Sequence, residues 1–301
     1  MTQIQNYRYA PPLILDVVMS LFAKIQRTTI HAKSVGALHS LTTAQEIVVD
    51  QGIPFTVRLL ERIQKKEQHQ AKQEKKQVNP FLPYEADLFV ANLSASHVCI
   101  LNKFNVVDHH ILIITRDFQS QEKWITLADF EALAQCMQAI DGLAFFNGGP
   151  LAGASQPHKH LQLIPFSGKI DAFAVPLETA IATLDLTVNQ PVTLPIFPFR
   201  HALIQIPENA DGQTLFQQYE CLLKHLKLIK NSLTAGQQTH PYNLLITRRW
   251  MLLVHRTQDR YEGISVNSLG FAGALLVRDR QQLEFLKKFT PLQLLKQVSK
   301  A

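Results

Sequence analysis

Two periods alternate along the chain. Apolar residues recur at helical spacing over 13–33, 127–141, 213–231, 279–288 and 291–299, and short apolar runs suited to strands fall between them. The first helix ends in basic residues and is stopped by Gly36; 37–42 reads as a short strand or turn. Runs at 46–49 and 55–60 predict two strands joined through Asp50, Gln51 and Gly52, a turn signal. Further strands are predicted at 87–91, 97–101 and 110–115. At 127–141 Thr126 supplies an N-cap and Asp129 an acidic residue in the first turn. Phe130, Leu133, Ala134, Met137 and Ile140 form its apolar stripe, and Gly142 ends it. Strands follow at 143–146 and 199–205. The runs 242–247 and 250–255 read as a hairpin across Arg248 and Arg249, a solvated turn. The small-polar segment 266–274 leads into a strand at 274–277, and the last two helices read as surface helices. Residues 167–197 are mixed, punctuated by Pro176, Pro191 and Pro195.

These elements predict an α+β fold. A single domain over 1–301 is expected, and two strand–helix–strand blocks, before and after about residue 200, hint at a pseudo-duplicated layout with halves 1–200 and 201–301. A length of 301 residues, 46% hydrophobic and 18% charged, supports a sizeable globular core. No apolar run reaches a membrane span. The stretch 13–22 is interrupted by Asp16 and reads as helix rather than signal peptide. Cys99, Cys136 and Cys221 are scattered and odd in number, which predicts a reducing, cytoplasmic setting and no metal cluster.

The net charge of +6 favours anionic partners. Much of it lies in QKKEQHQAKQEKKQ at 64–77, within a Lys/Gln-rich segment 64–78 that reads as a solvated face or mobile loop. No aromatic residue is interleaved there, so nucleic-acid binding is not expected. Residues 79–83 (NPFLP) form a rigid connector.

The candidate chemistry sits in NGGPLAGASQPHKHLQLIP at 147–165. Gly148, Gly149, Pro150 and Gly153 exclude a regular element, and Ser155 and Gln156 follow with free N–H groups, the ingredients of an anion-holding loop. The pattern then turns to alternation. His158, His160 and Gln162 share one strand face; Lys159, Leu161 and Leu163 share the other. A neutral imidazole is a good nucleophile near pH 7 and would form a phosphoramidate on phosphorus. The same histidines could be zinc ligands or ordinary half-buried strand residues, but no third ligand stands at metal spacing, and the Gly-rich loop beside them has the look of a site. The helix, strand, loop and strand in succession place the site at a sheet edge or across a break in a sheet. Asn102 and Lys103, at the end of an apolar strand, are a further ligand-facing pair, whereas His109 and His110 read as structural.

The run GASQPHKHLQ resembles the signature of the ATP adenylyltransferases, or diadenosine tetraphosphate phosphorylases, a transferase branch of the histidine-triad (HIT) superfamily. Hydrolases of that superfamily carry a third histidine where this chain has Gln162. The similarity runs from about residue 45 to 280, including LNKFNV at 101–106, where the family usually has Pro in place of Asn105, YNLLIT at 242–247 and GISVNSLGFAG at 263–273. The resemblance implies a HIT-like, antiparallel-rich sheet flanked by helices, and reversible phosphorolysis of diadenosine tetraphosphate to ADP and ATP. It makes His160 the nucleophile that takes AMP, with His158 orienting it and Gln162 beside the phosphates. Asn147, Gly153, Ala154, Ser155 and Gln156 would hold phosphates. Asn102, Lys103, Asn267, Ser268 and Leu269 would add nucleotide or polyphosphate contacts. Lys65 matches a phosphate-binding lysine, and Arg278 stands where a lysine is expected, keeping the charge but changing donor geometry. Magnesium would arrive with the substrate; no dedicated metal site or organic cofactor is implied. The competing expectations are a HIT-type hydrolase using water, against which Gln162 weighs, and a sugar-1-phosphate nucleotidyltransferase.

Overall fold

The computed structural model describes residues 19–41, 43–60, 79–166, 175–233 and 236–301. Helix α1 (Leu21–Ser34) opens at Ser20, whose side chain accepts from Ala23 N, and it buries Ile25, Thr29 and Ala32. The sequence places this helix from 13; residues 19 and 20 are already outside it, and 13–18 lie outside the described residues. Strands β1 (Thr43–Asp50) and β2 (Ile53–Leu60) form a hairpin. Gln51 and Gly52 both take positive φ, 46° and 83°, the backbone that a two-residue turn between twisted strands requires.

The main sheet has eight strands: β3 (Phe89–Asn92), β4 (His97–Leu101), β5 (Ile111–Thr115), β6 (Gly142–Gly148), β7 (His160–Pro165), β8 (His201–Gln205), β9 (Tyr242–Ile246) and β10 (Trp250–His255). Their order is β3-β4-β5-β7-β6-β9-β10-β8, and every neighbouring pair is antiparallel. Strands β6 and β7 are therefore interior, flanked by β9 and β5. The site is not at a sheet edge: the hairpin of β9 and β10 supplies backbone partners to the free side of β6.

One sheet face is covered by α2 (Leu127–Ala139) and α4 (Gly212–His225), which bring Phe130, Leu133, Leu215, Tyr219 and Leu222 against Leu161, Leu163 and Leu244. A short α3 (Glu178–Ile181) lies between them in sequence. Thr126 and Asp129 form a reciprocal capping box at the start of α2. Between β10 and the next helix, β11 (Arg260–Tyr261) and β12 (Ile264–Ser265) make a two-stranded ribbon. The second sheet face is covered by α5 (Ser268–Phe271), β13 (Ala274–Val277), α6 (Arg280–Phe289) and α7 (Pro291–Gln297). Strand β13 pairs in parallel with β2, completing a three-stranded sheet.

Three further expectations shift. The strand read from 87 begins at Phe89, because Ala86–Leu88 close a 3-10 turn. Helix α7 is not a surface helix: Leu292, Leu294 and Leu295 are buried, and its first turn is tied to the β1–β2 hairpin by Leu292 N–H donating to Asp50 Oδ2 at 2.8 Å. Arg248 and Arg249 are not a freely solvated turn. Arg248 Nε and Nη2 donate to Met137 O at 2.8 and 2.6 Å, closing carbonyls that the end of α2 leaves open, and Arg249 Nη2 reaches Glu178 Oε1 at 2.8 Å.

Candidate active site

The loop after β6 is built by glycine. Gly149 and Gly153 have φ of 87° and 85°, bracketing a single 3-10 turn over Pro150–Ala152. A Cβ on Gly153 would lie 2.6 Å from Val266 O and 2.9 Å from Asn267 Cα, so no larger residue lets the loop approach the 266–268 segment. The turn uses the N–H groups of Ala152, Gly153 and Ala154. Those of Ser155 and Gln156 have no partner among the described residues and remain for a ligand.

His160 is 4% exposed and its Nδ1 lies 2.8 Å from His158 O. A carbonyl only accepts, so Nδ1 carries the proton and Nε2 keeps its lone pair. Burial pushes the pKa of His160 down to about 4, so the ring is neutral at pH 7. Gln121 fixes the backbone around it: Oε1 accepts from His160 N at 2.8 Å, and Nε2 donates to His160 O and Asn147 O at 3.2 and 2.9 Å. His158 lies behind, fully buried. Its Nε2 donates to Thr115 O at 2.9 Å and its Nδ1 accepts from Asn79 Nδ2 at 2.9 Å. Both nitrogens are occupied, so His158 positions and does not react. Phe81 packs edge-on against both rings. On the other strand face Lys159 is buried against Asp129 and Trp124 O; Asp129 also receives His97. Although its own burial opposes ionisation, these hydrogen bonds and the Lys159 charge hold the Asp129 carboxyl down at about 2.

Gln162 is oriented by a residue read from sequence as structural. His110 Nε2–H donates to Gln162 Oε1 at 3.0 Å, and His110 Nδ1 accepts from Asn102 Nδ2 at 3.2 Å. The Gln162 amide is thereby turned so that its NH2 is free for an acceptor in the cleft. His110 is held neutral, its pKa pushed down to about 4 by burial. His109, in contrast, packs outside the cleft against α1, with its Nδ1 3.0 Å from Thr29 Oγ1.

Asn147 is set in the same way. Its Oδ1 accepts from Asn243 Nδ2, Ser268 N and Ser268 Oγ at 2.9, 2.9 and 2.7 Å, leaving Nδ2 unpartnered among the described residues. Asn243 in turn bonds Arg256 Nη1. That guanidinium is buried without a carboxylate contact among the described residues. It donates to Val298 O, Val266 O, Gln258 O and Ala152 O and lies over the Phe271 ring. Burial lowers its pKa to about 9, which leaves it charged at pH 7.

These groups open onto one cleft of about 800 Å³ between the main sheet and the three-stranded sheet. His160, Gln162, Asn147 and the loop residues Gly153, Ala154, Ser155 and Gln156 line it. So do Asn102, Lys103, Asn267, Leu269 and Arg278. Ser268 does not: it is fully buried, its N–H donates to Asn147 Oδ1 and its one hydroxyl proton is shared between Phe146 O and Asn147 Oδ1, so it supports the cleft from behind. Lys65 lies outside the described residues. Sequence reasoning missed Asn79, Gln121, Asn243 and Arg256, whose partners are far away in the chain and leave no local pattern. It also missed Arg58 on the opposite wall, in a strand read only for its apolar side.

Comparison with known proteins follows the same outline. A sequence profile of the Ap4A phosphorylase N-terminal domain matches residues 15–183, and one of the ATP adenylyltransferase C-terminal domain matches 195–301. Diadenosine 5',5'''-P1,P4-tetraphosphate phosphorylase 2 of Saccharomyces cerevisiae is 30% identical over 236 residues, covering 69% of this chain and 71% of that protein. Protein APA1 of the same yeast is 27% identical over 195 residues, 60% of this chain and 61% of APA1. The crystal structure of yeast Ap4A phosphorylase Apa2 in complex with Ap4A shares the fold with a TM-score of 0.76 at 24% identity, over 93% of this chain and 98% of that one. The Apa2 complex with AMP gives 0.75 at 25% identity, over 93% and 97%. The first profile alone covers more than half of the sequence, and the chain therefore belongs to the Ap4A phosphorylase and ATP adenylyltransferase family.

Proposed function

We propose that this chain catalyses the reversible phosphorolysis of diadenosine tetraphosphate, with phosphate, to ADP and ATP. The observation that carries the reading is the His160 geometry: Nδ1–H is fixed on His158 O, and a neutral Nε2 is left at a cleft lined by unspent amide donors. In the first step Nε2 attacks the α-phosphorus of one adenosine. The bond to the bridging oxygen breaks and ATP leaves. In the second, an oxygen of inorganic phosphate attacks the same phosphorus, the P–N bond breaks, and ADP forms. The leaving group is a phosphate anion, so no general acid is required at His158, whose nitrogens are both engaged. Catalysis comes from placement and from donors on the non-bridging oxygens: Gln162 Nε2, Asn147 Nδ2 and the Ser155 and Gln156 N–H groups.

Magnesium fits as a companion of the substrate. Among the described residues the two cleft carboxylates are already paired, Glu85 with Lys103 at 2.6 Å and Asp259 with Arg260 at 2.7 Å, and no group of three His, Cys, Asp or Glu able to hold a metal occurs. A phosphate-borne ion would neutralise charge on the polyphosphate. A cytoplasmic setting accords with three free cysteines, and no helix among the described residues is long and apolar enough to cross a membrane.

The test is a product assay with diadenosine tetraphosphate and magnesium, with and without phosphate, beside His160→Ala. ADP and ATP should appear only with phosphate and only with His160 present. Turnover without phosphate would show water as the acceptor and sink the phosphorylase reading.

A further inference from the structure

Among the described residues four cationic side chains line the cleft: Arg58, Lys103, Arg260 and Arg278. Lys103 and Arg260 are neutralised by Glu85 and Asp259. Arg58 and Arg278 meet no carboxylate among the described residues. Among the described residues the Arg58 side chain makes one hydrogen bond, a long one of 3.4 Å to Thr43 Oγ1, and the Arg278 side chain makes none, its backbone N–H being engaged on Gln282 Oε1.

The strand pattern explains where these charges point. In β2, Phe55 and Val57 enter the core, so Arg58 and Leu60 face the cleft. Arg58 stands beside Leu276 of the parallel strand β13, and Arg278, two residues beyond Leu276, keeps the same side. The two guanidinium groups thus belong to the wall of the three-stranded sheet, whereas His160 and Gln162 belong to β7 of the main sheet. Arg278 is exposed, but Arg58 is half-buried, and a cation held there without an ion pair is unfavourable unless an anion completes it. Burial lowers the pKa of Arg58, in the direction that an unmet charge requires.

We infer that Arg58 binds the phosphates of the departing polyphosphate, beyond the phosphorus that His160 attacks and beside Arg278, a position the family resemblance already gives to substrate, and so sets the chain length the cleft accepts. The inference rests on the His160 chemistry proposed above. A guanidinium offers a fork of donors matched to phosphate oxygens, and two on one face span successive phosphates. A short donor such as ADP presents one phosphate past the attacked atom; diadenosine tetraphosphate presents three and a second nucleoside.

The experiment compares two reactions of one nucleophile. In ADP–phosphate exchange, the adenylyl group moves from ADP to Nε2, phosphate leaves, and labelled phosphate reverses the step. In phosphorolysis of diadenosine tetraphosphate the leaving group is ATP. Arg58→Gln is expected to lower kcat/KM for the tetraphosphate by about 10- to 100-fold relative to exchange on the same preparation. Arg58→Lys should recover part of the loss. An unchanged ratio, whether both activities fall together or neither falls, would overturn the inference while leaving wild-type phosphorolysis intact. Exchange by the wild type without any tetraphosphate turnover would instead remove the proposed substrate, and the inference with it.

Discussion

The pKa of about 4 for His160 makes a kinetic statement at the scale of one residue. Diadenosine tetraphosphate has no terminal phosphate to titrate near neutrality, so the acid limb of adenylylation reports the buried imidazoles of the cleft, His160 and, beside Gln162, His110. Single-turnover adenylylation should hold from pH 8 to about 5 and fall with a midpoint near 4. A midpoint at the ordinary imidazole value of about 6.5 would show that His160 is not desolvated as described. The same depression affects folding. An unfolded histidine takes its proton near 6.5, while folded His160 and His110 take theirs only near 4, so between those values the unfolded chain binds more protons. Their contribution to stability is complete above pH 6.5 and is lost as the pH falls toward 4. Thermal unfolding at pH 7.5 and 5.0 should show the lower Tm in acid.

What the sequence made legible at this scale follows from range. His160 on the cleft side and Lys159 on the helix side were readable because alternation in a strand needs only the strand. Gln121 was not, because it meets His160 across 39 positions, nor was Asn79, which meets His158 across 79. Neither sits in a periodic run. His110 was misread because it precedes an apolar strand, and nothing local reveals that its ring turns toward Gln162. Ser268 was matched to the ligand because motif similarity does not separate a residue that touches substrate from one that holds its neighbour.

Among elements, the packing of α2 on α4 depends on the absence of a side chain. A Cβ on Gly212 would lie 2.6 Å from Glu131 Cα and 2.7 Å from Glu131 N, where backbone cannot yield as a flexible side chain does. Gly212→Ala should therefore lower stability by about 1–3 kcal/mol, read from urea unfolding, despite the better helix propensity of alanine. A stabilised variant would contradict this contact. The helices and hairpins were legible where periodicity or turn chemistry was strong, as in α2 with its capping box and in the turn at Gln51 and Gly52. The placement of α7 was not. Its buried positions 291, 294, 295 and 298 do form a one-sided stripe, but a stripe shows only that one face is covered, not that Asp50 and the core of the smaller sheet receive it.

The whole molecule is joined through β6 and β9, which carry the sheet from the His-bearing strands to the later hairpin, and through Arg256. This single guanidinium reaches the Gly-rich loop at Ala152, the 266–268 segment at Val266 and the C-terminal turn at Val298. Arg256→Met would strip donors from several buried carbonyls at once. The expected loss is about 3–5 kcal/mol in urea unfolding, comparable with breaking a buried charged network, together with a raised KM for phosphate as the loop loses its tether. Unaltered stability would refute the role of Arg256 as the common anchor.

The anchoring of Ala152 by way of Arg256 to Val298 also bears on how the protein is made. A ribosome releases the loop and the His-Lys-His strand long before it releases residues 291–298. The emerging chain then holds His160 while the carbonyl that completes the Arg256 network is still untranslated. A nonsense codon between Gln282 and Val298 would leave every cleft residue named here in the product and still remove Val298, so residues 291–298, though distant from the chemistry, are part of what makes the cradle.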